Sequence, residues 1–146
     1  MPTNRIAFLV FLVLLAFGCS KSKRNQCNTI RTKASIEMKA TETIATQLSN
    51  PQALAGHVEL LKTTAEELSK LEIEDPNLKN AALDYCKALR GLASGYQKAT
   101  AGLKAQGQGD LEKAADENLG AGAEMVVYGT MLNASRKRIA EICSKP

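Results

Sequence analysis

With 146 residues, 19 basic against 15 acidic side chains and a net charge of +4, the chain has room for one domain and too even a charge for nucleic-acid binding. It holds no tryptophan and one histidine, which excludes histidine-pair metal sites and leaves no second imidazole for proton relay. All three phenylalanines fall before residue 18, so a folded core has to be built from Leu, Ile, Val, Met and Ala.

Arg5 precedes an unbroken apolar run from Ile6 to Phe17, followed by Gly18-Cys19-Ser20. Crossing a bilayer takes about 20 apolar residues, so this run is too short. One early positive charge, a run of this length and a small residue before the cut describe a secretory signal peptide over residues 1–18. Leu15-Ala16-Phe17-Gly18-Cys19 resembles the lipobox of bacterial lipoproteins. Ala16 stands where that family favours a branched aliphatic residue and Phe17 where it favours a small one. Ala16-x-Gly18 also suits ordinary signal peptidase. The resemblance implies that Cys19 becomes the mature N-terminus and carries lipid on its thiol. Ser20 after it resembles lipoproteins sent to the outer membrane. Residues 19–24 would then be a lipidated basic tether, with Lys21, Lys23 and Arg24 either at anionic headgroups or simply solvated.

Residues 25–146 carry four helical patterns. Helix 1 is expected over residues 25–48, with Cys27, Ile30, Ala34, Met38, Ile44, Ala45 and Leu48 at helical spacing and Glu37 and Thr41 diluting the stripe. Asn50-Pro51 breaks it and caps helix 2 (51–71), whose stripe is Leu54, Val58, Leu61, Ala65 and Leu68. Asp75-Pro76 repeats the device before helix 3 (76–105). There Leu78, Ala82, Tyr85, Leu89, Leu92, Tyr96, Ala99 and Leu103 alternate steps of four and three. Gln106-Gly107-Gln108-Gly109 is a turn, and Asp110 caps helix 4 (110–144), whose register runs Leu111, Ala114, Asn118, Ala121, Met125, Tyr128, Leu132, Ser135, Ile139 and Ile142. Gly91 and Gly95, one turn apart on helix 3, and Gly120-Ala121-Gly122-Ala123 on helix 4 point to close contact between the two helices, or to a kink around Gly120, since glycine inside a helix costs up to about 1 kcal/mol relative to alanine.

The fold class is therefore all-α: an up-down-up-down antiparallel four-helix bundle after a cleaved signal peptide. In that topology Cys27, opening helix 1, and Cys143, closing helix 4, lie side by side, and export permits a disulfide between them. With Cys19 lipidated, Cys86 is left over as a buried free thiol.

The residues for chemistry are sparse. His57 reads as a partly exposed surface histidine beside Val58. Adjacent acids such as Glu66-Glu67 and Asp116-Glu117 point in different directions on a helix. Arg136-Lys137-Arg138 near the end of helix 4 complements the helix dipole or faces the membrane. No catalytic, metal or cofactor-binding set emerges. The sequence points to a non-enzymatic exported lipoprotein, tethered to the bacterial outer membrane on its periplasmic side or at the cell surface. It would act as a structural or protein-interaction module through an unknown protein partner or self-association. The alternative is a carrier of a small apolar ligand or haem, which needs a cavity of several hundred Å³. Helices 3 and 4 are expected to outrun the others, leaving part of an apolar stripe overhanging.

Overall fold

The computed structural model describes the backbone of residues 4–145 and the side chains of residues 22–145. Four helices follow in order: α1 (Asn4–Ile44), α2 (Pro51–Ser69), α3 (Pro76–Gly107) and α4 (Leu111–Ser144). Among the described residues there is no strand.

Three of the helix starts are built as their residue types dictate. Asn50 accepts hydrogen bonds from the backbone N–H groups of Gln52 and Ala53, and Asp75 from those of Asn77 and Leu78. Proline occupies the first helical position after each, where its missing N–H costs nothing. Asp110 accepts from Lys113 N, and Gly109 before it takes the left-handed conformation, φ +80°, that turns the chain between α3 and α4.

α1 carries a helical backbone without a break from Asn4 through the expected leader and tether into the bundle. It ends at Ile44 rather than Leu48. Near its end Thr43 Oγ1 donates to Lys39 O at 3.0 Å, a bond of the kind that threonines inside the helices also make, and Thr46 Oγ1 to Thr43 O at 2.8 Å. Past Ile44 the backbone tightens into three-residue turns, Thr46 N to Thr43 O at 3.3 Å and Gln47 N to Ile44 O at 2.8 Å, and Leu48 beyond them finds no core, remaining 51% exposed.

α3 is the inner helix. Leu78, Ala82, Tyr85, Leu89, Leu92 and Tyr96 are buried as their spacing predicts. A second line, including Ala81, Ala88, Gly95 and Gly102, is buried as well. The two lines serve two neighbours, and α3 packs most extensively on α4, then on α2. Its glycines explain the first of these contacts. A Cβ added at Gly91 would collide with the Tyr128 ring, and one at Gly95 would come within 3.1 Å of Met125 Cγ. Close approach of α3 and α4 therefore uses Gly91 and Gly95 as their spacing suggests, with Gly102 against Asn118 as a third point. On α4 the stripe Ala114, Ala121, Leu132, Ser135 and Ile139 is buried, whereas Leu111 is 69% exposed because nothing packs over the first turn.

At about 1.5 Å per residue, α3 with 32 residues and α4 with 34 are roughly 50 Å long, against under 30 Å for the 19 residues of α2. One end of the molecule is a full four-helix bundle. At the other, α3 and α4 project as a pair.

Candidate functional site

Cys27 and Cys143 form a disulfide, Cα to Cα 5.7 Å, across a sequence separation of 116. The bridge fastens the first helix to the last at the end of the bundle where Lys23 also pairs with Asp75 at 3.4 Å and Gln26 Nε2 donates to Glu72 O at 3.0 Å. In the chain-entropy account, closing a loop of this size contributes about 4.7 kcal/mol. Cys86 is free and buried, and burial pushes its thiol above the usual value, which keeps it protonated. Cys19 lies on the α1 backbone, but its side chain, like those of the expected leader and of Lys21, falls outside the described residues.

Between about two and four turns along from the bridge the interior turns polar. Glu37 on α1 is fully buried. Its carboxylate accepts from Tyr85 Oη of α3 at 3.0 Å and from Thr41 Oγ1 at 2.7 Å, and it is ion-paired with Arg136 Nη2 of α4. A buried carboxylate is tolerated only when paired and hydrogen-bonded, and here three helices supply the partners. Burial works against the Arg136 charge, and the Glu37 carboxylate more than restores it. Burial and the same carboxylate raise the Tyr85 hydroxyl far above its ordinary value, so it stays a proton donor.

These positions correct two expectations. The seam of α1 passes through Cys27, Ile30, Glu37 and Ile44, not through Met38, which is 43% exposed. Glu37 and Thr41 do not dilute the stripe; they occupy it. His57 is not a surface residue either, being 5% exposed. Its ring meets Tyr96 edge-on, centroids 4.9 Å apart, and its Nε2 has no hydrogen-bond partner among the described residues. Burial holds the His57 ring below its ordinary value, and Glu37 acts in the opposite direction.

The basic triplet divides in the same way. Arg136 turns inward to Glu37, Arg138 pairs with Asp84 at 3.4 Å, and Lys137 alone of the three faces solvent without a carboxylate partner among the described residues. Above the cluster an open groove of about 290 Å³ runs between α1 and α4, lined by Ala34, Met38, Ile139 and Ala140 with Arg31 and Arg136 at its polar edge. Ser135, a polar residue in the α4 seam, is buried with its hydroxyl donating to Met131 O at 2.8 Å, so it makes no bond across helices. Asn118, the other, is exposed at the seam edge.

The arrangement binds three helices through one buried charge pair and presents a small apolar groove beside it. Among the described residues no group of three or more metal-ligating side chains gathers, and no helix is long and apolar enough to cross a membrane. No protein-family model, curated protein or solved structure matches the chain.

Proposed function

We propose that this chain is a non-enzymatic exported lipoprotein: residues 1–18 are removed, Cys19 carries acyl chains, and the helical bundle acts at the bacterial outer membrane through protein contacts. The observation that carries this reading is the Cys27–Cys143 bridge. Disulfides persist in oxidising compartments, so a bridge between the two ends of the chain supports export and agrees with a cleavable leader. The interior polar groups support a structural role, because Glu37, Tyr85, Thr41 and Arg136 bind one another across three helices. Exposed Leu119, Val126 and Val127 on α4 support a role in protein contact.

A second reading, a carrier of a small apolar ligand, draws on the groove between α1 and α4. Its volume of about 290 Å³ lies at the lower edge of ligand sites, which run from about 300 to 1,000 Å³, and suits a short acyl chain better than a haem.

The test is the intact mass of the full-length protein after expression in an exporting bacterium and extraction from its membranes, with and without reductant. Expected are loss of residues 1–18, addition of acyl groups at Cys19 and a gain of two hydrogens on reduction. A mature chain without acyl groups removes the tether, and a mass unchanged by reduction removes the bridge. A retained small molecule in a native mass spectrum favours the carrier.

A further inference from the structure

The outer face of α4 has a composition that its own bundle does not explain. Leu119, Val126 and Val127 are 78%, 71% and 60% exposed, and Ala123, Thr130 and Ala134 continue the same face at helical spacing. From Asn118 to Ser135 the one charged residue is Glu124, which turns away to Lys98 of α3 at 2.7 Å. A solvent-facing helix surface this long without a charge is unusual, because surface helices place charged residues opposite the core.

Charge returns at both ends of the face, and with opposite sign. Exposed Glu112 and Asp116, with Lys113 between them, precede the apolar stretch; exposed Lys137 and the Asp84-paired Arg138 follow it, with Glu141 one turn beyond Lys137. Asp116 and Lys137 are equally far from the midpoint between Val126 and Val127. A two-fold axis through that midpoint sets the Asp116 of each copy against the Lys137 of the other and packs valine on valine at the centre. A parallel pairing would instead set Asp116 against Asp116 and Lys137 against Lys137.

We propose that α4 pairs antiparallel with α4 of a second copy of this chain, forming a symmetric dimer across Leu119–Ala134. The pairing rests on the reading of the chain as a protein-contact module and names the partner. A two-fold contact uses one self-complementary patch, and an apolar centre flanked by an acidic and a basic end has that property. The same register brings Glu112 toward Glu141 of the other copy, a like-charge contact at the two ends of the helix pair that works against the pairing and is screened as the Asp116–Lys137 pairs are. An anionic lipid surface fits less well, since the Glu112–Asp116 end would be repelled by it.

The test measures the particle mass of the full-length protein, extracted in mild detergent, by light scattering corrected for detergent. The expected mass is that of two chains. Val126→Glu should give one chain with its helical circular dichroism intact. Asp116→Lys and Lys137→Glu, both at solvent-exposed positions that folding does not need, should each weaken the dimer on the order of tenfold, since each change turns two attractive pairs repulsive. The two together should restore it. A single-chain mass for the unaltered protein at tens of micromolar overturns the proposal, as does a double swap no better than either single one. Vesicle binding by a single-chain species, lost in Val126→Glu, overturns it in favour of a lipid surface. Particle mass reports the pairing, while acyl groups and reduction report the tether and bridge, so either reading can fail without the other.

Discussion

Where α1 meets α4, the molecule is held by a covalent bond and a buried ion pair, Cys27 to Cys143 and Glu37 to Arg136. Where α3 and α4 project beyond α2, it is held by proximity alone, with small residues such as Gly102, Ala105 and Ala114 in the seam and no ionised side chain buried. In the first region the Glu37 carboxylate draws its partners from three helices at once, so moving any one of them leaves a buried charge short of a partner. The second gains length and an uncovered surface. A chain with no tryptophan, and no phenylalanine beyond residue 17, has few bulky side chains with which to thicken its bundle core. It uses polar and covalent links at one end and accepts a thin two-helix arm at the other.

The sharpest way to break this contrast is at Glu37. Replacing it with alanine leaves the Arg136 guanidinium and the Tyr85 hydroxyl without their acceptor. Removing one partner of a buried pair costs about 3–5 kcal/mol, and here the low end applies because Arg136 keeps some contact with water. Urea denaturation should show that loss for Glu37→Ala. Most of it should be recovered in Glu37→Met with Arg136→Met, since exchanging a buried pair for apolar side chains is often neutral or better.

A smaller effect separates the glycines of the α3–α4 seam. At Gly91 an added methyl meets the body of the Tyr128 ring, which cannot swing away without losing its packing, so Gly91→Ala should cost about 1–3 kcal/mol. At Gly102 it meets the end of the exposed Asn118 side chain, which can turn into solvent. Gly102→Ala should therefore cost less than Gly91→Ala in the same denaturation series. Equal losses would mean that the arm is packed as rigidly as the bundle.

The smallest effect is on pH. Folded His57 sits below its ordinary value of 6.5 because burial disfavours the imidazolium. As pH falls below about 6.5 the unfolded chain takes up a proton that the folded ring resists, so stability declines from there down to the folded value. At neutral pH and above, this contribution is fully present. His57→Gln should flatten that part of a stability–pH curve, and an unchanged slope would show that His57 is not the group responsible.

Much of this was legible in the residues. The caps at Asn50, Asp75 and Asp110, the α3 stripe and the Gly91–Gly95 contact are local signals, each decided by a few neighbouring side chains. The Cys27–Cys143 pairing followed from topology once the helices were counted. The polar cluster was not legible in the same way. Cys27, Ile30, Ala34, Glu37, Thr41 and Ile44 alternate steps of three and four without a gap, so the signal existed, but only if a carboxylate is admitted to an apolar seam. What permits that is Arg136, 99 residues away, which nothing local connects to Glu37. The burial of His57 is hidden for a related reason: its neighbour Tyr96 lies on another helix, and their ring contact appears only on folding.

The bridge also decides how the molecule would bear a mechanical load. A helix pulled from its leading end ordinarily peels turn by turn, each lost hydrogen bond exposing the next. Tension entering along α1 reaches Cys27 and passes through sulfur into the last turn of α4, so peeling halts before Ile30 and the remaining helices hang inside a closed covalent ring. Under such traction, reduction of the bridge is the step that exposes the interior to strain.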